Sequence, residues 1–97
     1  MTVKLVVEHF IKPEKRQEAL DIYEKMVAGT RAEHGCLMYD LHEDEEQPGH
    51  FIYIEEWSDQ VSVDLHTNGE VFKTYFPKLM ALSSTGTDRV IRIKKLL

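Results

Sequence analysis

The spacing of apolar residues changes several times along the chain, and each change marks an element. Residues 3–11 (VKLVVEHFI) are rich in β-branched side chains and predict a strand. Pro13 then stands where a first helical turn tolerates proline, and Glu14 suits the positive end of a helix dipole. Ala19, Ile22, Tyr23, Met26 and Thr30 recur at helical spacing, widened by Leu20 and Val27, and Gly35 is placed to end that helix in the left-handed conformation. Residues 36–43 (CLMYDLHE) and 50–57 (HFIYIEEW) predict two strands, joined through the polar link 44–49 as an antiparallel hairpin. Ser58 is a plausible N-cap for a second helical region, with Asp59 in its first turn. Asn68-Gly69 should interrupt that region, and Pro77 should kink or restart it. Phe72, Tyr75, Phe76, Leu79 and Met80 then restore a helical stripe, which Ser83-Ser84-Thr85-Gly86 should end before a last strand over 87–96. The order βαββαβ is the ferredoxin-like α+β arrangement, an antiparallel sheet with its helices on one face.

The strands carry apolar residues on both faces. Val3, Leu5 and Val7 share one side of the first strand, and Val6 and Phe10 the other. On the third strand Phe51, Tyr53, Glu55 and Trp57 lie on one side, with Ile52 and Ile54 opposite. A solvated second face would be polar at alternate positions. An apolar one marks an interface, so a homodimer with the two sheets packed face to face is expected.

Composition narrows the class. The 97 residues suffice for one domain, spanning 1–97, and 42% hydrophobic content excludes a disordered chain. Twelve basic against seventeen acidic residues argue against nucleic acid as a partner. No apolar run is long enough to span a bilayer, which speaks against a membrane partner. The start Met1-Thr2-Val3-Lys4-Leu5 lacks the features of a secretory signal. The single cysteine, Cys36, suits a reducing compartment, so a cytoplasmic location is expected.

The densest candidate chemistry lies near the third strand. If the second helix folds back over the sheet, His66 overhangs the strand end that carries Glu55 and Trp57. The product would be an aromatic-walled pocket with one imidazole and one carboxylate, suited to a small, flat, apolar ligand with a polar handle. Taken singly, each of these aromatics suits the core better than a site, and His66 could equally be capped or solvated. His9, His34, His42 and His50 show no metal-binding spacing, although His42 and His50 could meet across the hairpin, and no metal site is expected. Cys36 suits a small buried hydrophobe better than a catalytic thiol. No phosphate loop or G-x-G-x-x-G occurs, so no nucleotide cofactor is expected. Glu43-Asp44-Glu45-Glu46 reads as a solvated loop.

Glu33-His34-Gly35-Cys36-x-x-Tyr39, then Glu55-x-Trp57, then Leu65-His66 and Phe72, resemble the antibiotic biosynthesis monooxygenase (ABM) domain over nearly the whole chain. The resemblance implies a dimeric ferredoxin-like α/β barrel. Members of that family include cofactor-independent oxygenases of aromatic polyketides, quinol monooxygenases, haem-degrading enzymes and an isomerase of phosphorylated autoinducer sugars. Glu55-x-Trp57 with His66 is similar to the quinol monooxygenase branch. The stretch from Gly35 to Leu79, with Tyr39-Asp40, Phe51 and Lys73-Thr74, is also similar to the isomerase. The haem-degrading branch uses an Asn on the first strand, whereas the only Asn here is Asn68.

On this resemblance the expected activity is cofactor-free monooxygenation of a small aromatic or quinol-type molecule by molecular oxygen. His66 would transfer the proton, with Glu55 orienting it or a substrate hydroxyl and Trp57 completing the catalytic group. Tyr39, Phe51, Tyr53 and Phe72 would bind the substrate. An isomerase would use the same acid–base pair and take a phosphate anchor from Lys73 or Arg89. A non-catalytic dimeric metabolite-binding domain is the alternative from another class.

Overall fold

The computed structural model describes all residues, Met1–Leu97. Four strands, β1 (Val3–Ile11), β2 (Cys36–Glu43), β3 (His50–Trp57) and β4 (Ser83–Ile93), form one antiparallel sheet in the order β2-β3-β1-β4. Three helices cover one face: α1 (Arg16–Arg31), α2 (Gln60–Thr67) and α3 (Glu70–Ala81). This is the ferredoxin-like α+β fold, with its second helix broken in two at Asn68-Gly69.

The strand parity follows the sequence. Val3, Val7, His9 and Ile11 are buried beneath the helices, as are Phe51, Tyr53, Glu55 and Trp57 of β3 and Tyr39 of β2. Ala19, Tyr23, Met26 and Thr30 of α1 close the core from above. On the opposite face β1 sets Val6 beside Ile54 and Ile91, and Lys4 beside Ile93. Ile54 and Ile93 there remain about two-fifths exposed, at 41% and 44%.

Local details depart from the pattern in several places. A single 3-10 turn, Pro13–Lys15, precedes α1, and α1 ends four residues before Gly35. Gly35 is left-handed at φ 77°, yet it serves the turn into β2, where a Cβ would lie 1.9 Å from the Ser62 hydroxyl. The cap of α2 is Asp59 rather than Ser58: its carboxylate accepts the Ser62 N–H at 2.9 Å. α3 runs through Pro77, an exposed residue, without stopping.

The last strand starts at Ser83, not at 87, and ends at Ile93. Ser83-Ser84-Thr85-Gly86 is therefore not a linker but a wide bulge inside β4. The Ser83 hydroxyl accepts the N–H groups of Thr85 and Gly86, at 3.1 and 3.0 Å, and Gly86 takes φ 74°. The acidic link is likewise more than a solvated loop. Glu43 is gripped by the Arg16 guanidinium at 2.8 Å and accepts the Gly49 N–H at 3.0 Å, fixing α1 to the hairpin. His42 faces Ile52 across the hairpin, and His50 bonds Asp44 and Glu8 instead.

Candidate active site

Between the sheet and the α2–α3 pair lies a cavity of about 320 Å³. That volume lies in the range of small-molecule sites. The cavity lies beneath both helices and extends over β1 and β4, whose Val7, His9, Asp88 and Val90 line it. Its wall carries His66, Tyr39, Tyr53, Glu55 and Phe72, five of the seven residues expected from the sequence.

His66 is 4% exposed, on the buried face of α2. The N-cap at Asp59 sets the helix, and Trp57 supports the ring from below at a centroid separation of 4.7 Å. Tyr39 and Phe72 meet the imidazole edge-on at 5.6 and 5.4 Å. His66 Nδ1 donates to Glu33 Oε1 at 2.7 Å, a short bond of the charge-assisted kind. The partner that orients His66 is thus Glu33, from the turn after α1, and not Glu55. With Nδ1 committed, Nε2 is left to exchange a proton with whatever occupies the cavity.

Glu55 has another attachment. The Trp57 indole N–H donates to its Oε1 at 2.9 Å. Burial pushes its carboxyl from 4.5 up to about 7; the Trp57 bond opposes the shift and the charge of Asp88, farther along the cavity, adds to it. Near neutral pH this group can therefore donate or accept a hydrogen bond to a ligand oxygen. Trp57 itself is fully buried and lies behind the cavity wall, holding His66 and Glu55 in place. Phe51 lies off the cavity altogether, packed 4.9 Å from Tyr23 in the core.

The buried phenols of Tyr39 and Tyr53 are pushed upward by desolvation and stay protonated. Burial and the Glu33 charge also push the Cys36 thiol up, away from a reactive thiolate. Neither candidate phosphate anchor reaches the site. Arg89 pairs with Glu8 on the opposite sheet face, and Lys73 is exposed on α3 off the cavity wall. The cation on the wall is Arg92, bonded to Gln60.

Glu33, His9 and Asp88 carried no assigned site role in the sequence pattern, although Glu33 opens the Glu33-His34-Gly35-Cys36 motif. His9 was within reach of the pattern, because period two from Val7 puts it on the buried face. Glu33 and Asp88 gave no periodic signal: one sits in a turn, and the other follows a bulge that resets strand parity.

Residues 2–78 match the family profile described as antibiotic biosynthesis monooxygenase. YcnE of Bacillus subtilis, provisionally named a monooxygenase, is 34% identical over 80 residues, covering 82% of this chain and 84% of that protein. A Mycobacterium tuberculosis protein with the same provisional name is 26% identical over 73 residues, covering 75% and 71%. A crystal structure described as an antibiotic biosynthesis monooxygenase superposes with a TM-score of 0.93 at 36% identity, covering 100% of both chains. A conserved protein of Methanosarcina mazei gives 0.92 at 28%, covering 99% of this chain and 94% of its own.

Proposed function

The chain belongs to the antibiotic biosynthesis monooxygenase family, and from that premise we propose that it is a cofactor-independent monooxygenase of small aromatic or quinol-type substrates. The observation that carries this reading is the Glu33–His66 pair set into an aromatic-walled cavity. A carboxylate on Nδ1 fixes the imidazole tautomer and stabilises the imidazolium that forms when Nε2 takes a proton. In the proposed reaction His66 removes a proton from an electron-rich phenol, quinol or anthrone. The resulting anion passes an electron to molecular oxygen, and the radical pair joins at a ring carbon as a hydroperoxide. Loss of water leaves a new carbonyl there, so one oxygen atom stays in the product and the other leaves as water. Glu55 holds a substrate oxygen, and Tyr39, Tyr53 and Phe72 hold the ring plane.

The isomerase reading has weaker support, since Lys73 and Arg89 lie off the cavity and Arg92 shares its wall with two carboxyl groups. We also propose that the open sheet face, with Val6, Ile54, Ile91 and Ile93, is the contact of a homodimer. Oxygen uptake with a panel of naphthoquinols and anthrones, corrected for autoxidation, tests the activity. Uptake above background that collapses in His66→Ala is expected; uptake that survives the substitution removes His66 from the chemistry. Binding without uptake would favour a metabolite-binding domain.

A further inference from the structure

The cavity has a second polar end, remote from His66. Leu5 pairs with Glu55 and Arg92 in one row of the sheet, next to the Val3–Trp57 pair that supports His66, whereas His9 pairs with Phe51 and Asp88. Four strand positions separate the two rows, a span of about 13 Å. Between them the wall is apolar, with Val7, Val90, Tyr53 and Phe76 among its residues.

We propose that His9 and Asp88 form a binding pole for a ligand hydroxyl, so that the cavity selects an elongated, uncharged fused-ring aromatic hydroxylated at the end remote from His66. The proposal rests on the reading of this cavity as the substrate site. His9 is 2% exposed and lines the cavity. Its Nδ1 lies 2.6 Å from the Tyr23 hydroxyl, which has no other hydrogen-bond partner. The phenol is the better donor, so Nδ1 accepts, and the neutral ring carries its proton on Nε2. No protein group takes up that Nε2–H, although the ring is buried. Burial also lowers His9 to about 4, keeping the ring neutral at ordinary pH.

Asp88 supplies the acceptor. It lines the same cavity, and the neighbouring Arg89 points to the other sheet face. The bulge in β4 is what brings it there. Ile11 pairs with Ser83, so regular pairing would set Thr85 opposite His9 two positions later. β4 instead advances five residues while β1 advances two, and Asp88 arrives opposite His9.

An N–H donor and a carboxyl acceptor across one register pair match a hydroxyl, which accepts from the first and donates to the second. A carbonyl would leave Asp88 unmatched. A carboxylate or phosphate at this pole would set negative charge against Asp88, while the cation on the wall, Arg92, lies in the other row.

The test is calorimetric titration under argon with 2,6-dihydroxynaphthalene, 2-naphthol and 6-hydroxy-2-naphthoate. Wild type should bind the diol about ten-fold tighter than 2-naphthol, the scale of one buried hydrogen-bonded pair, and the carboxylate more weakly than either. Asp88→Asn and His9→Phe should bring diol and mono-ol to near parity, with 2-naphthol affinity little changed. Asp88→Asn lies on an edge strand, so it keeps the test valid should the buried His9→Phe fold poorly. Equal affinities in wild type, a preference that survives both substitutions, tight carboxylate binding, or no binding by the folded protein would each overturn the proposal. Because oxygen is absent, a diol preference without oxygen uptake would keep the pole and discard the oxygenase. Oxygen uptake without a diol preference would do the reverse.

Discussion

Replacing Glu55 by Gln should make the protein more stable, and only above a particular pH. Glu55 is 5% exposed, and burial raises its carboxyl from 4.5 to about 7. Between those values the folded protein keeps a proton on Glu55 that the unfolded chain has lost. Stability contributed in this way is complete below 4.5 and is lost as the pH rises through 7. At about 1.4 kcal/mol per pH unit, the interval from 4.5 to about 7 amounts to roughly 3 kcal/mol. His9 acts with the opposite sign. Its value is lowered from 6.5 to about 4, so its contribution is present above 6.5 and is lost as the pH falls toward 4. The two slopes therefore oppose each other between 4.5 and 6.5. Gln cannot ionise, and its amide oxygen can still accept the Trp57 indole N–H. Urea unfolding of both proteins at pH 5 and pH 8, at one protein concentration, measures the difference. The variant should exceed wild type by about 3 kcal/mol at pH 8 and come within about 1 kcal/mol of it at pH 5. An equal margin at both pH values, or a variant less stable at pH 8, would refute a buried carboxyl that resists ionisation.

Ile54→Glu places a charge in the apolar open face, and light scattering should show the molar mass fall from dimer to monomer; an unchanged dimer would put the contact elsewhere. Gly35→Ala adds a Cβ at φ 77° that would lie 1.9 Å from the Ser62 hydroxyl, and it should cost more than about 1 kcal/mol in urea unfolding. Gly86→Ala, at φ 74° with nothing within 4 Å, should cost less than Gly35→Ala; the reverse order would mean that packing at Ser62 is not the larger effect.

Period two and period 3.6 carried most of the fold, because most buried positions of β1, β3 and α1 follow them without interruption. The parity that set Val3 and Val7 against Val6 also set Tyr53 and Glu55 against Ile54, and the cavity wall follows from it. Legibility failed where a side chain or a bulge replaces the repeat. Asp59 caps α2 through its own carboxylate, one residue beyond the position expected. The Ser83 hydroxyl ties down a turn that reads as loop but lies within the strand. Within the site, His66, Glu55 and three aromatics were legible as neighbours, but their pairing was not. Trp57 claims Glu55 two positions away, and Glu33 reaches His66 across 33 residues, a contact that only the docking of α2 on the turn after α1 creates.

The central claim is that His66, oriented by Glu33, takes the substrate proton before oxygen is involved. Anaerobic stopped-flow mixing of an anthrone with the protein measures that step alone, through the absorbance of the anthrone anion. Wild type should generate the anion rapidly, Glu33→Gln more slowly, and His66→Ala no faster than buffer. Anion formation in His66→Ala at the wild-type rate would contradict the assignment and leave His66 a buried histidine on an aromatic wall.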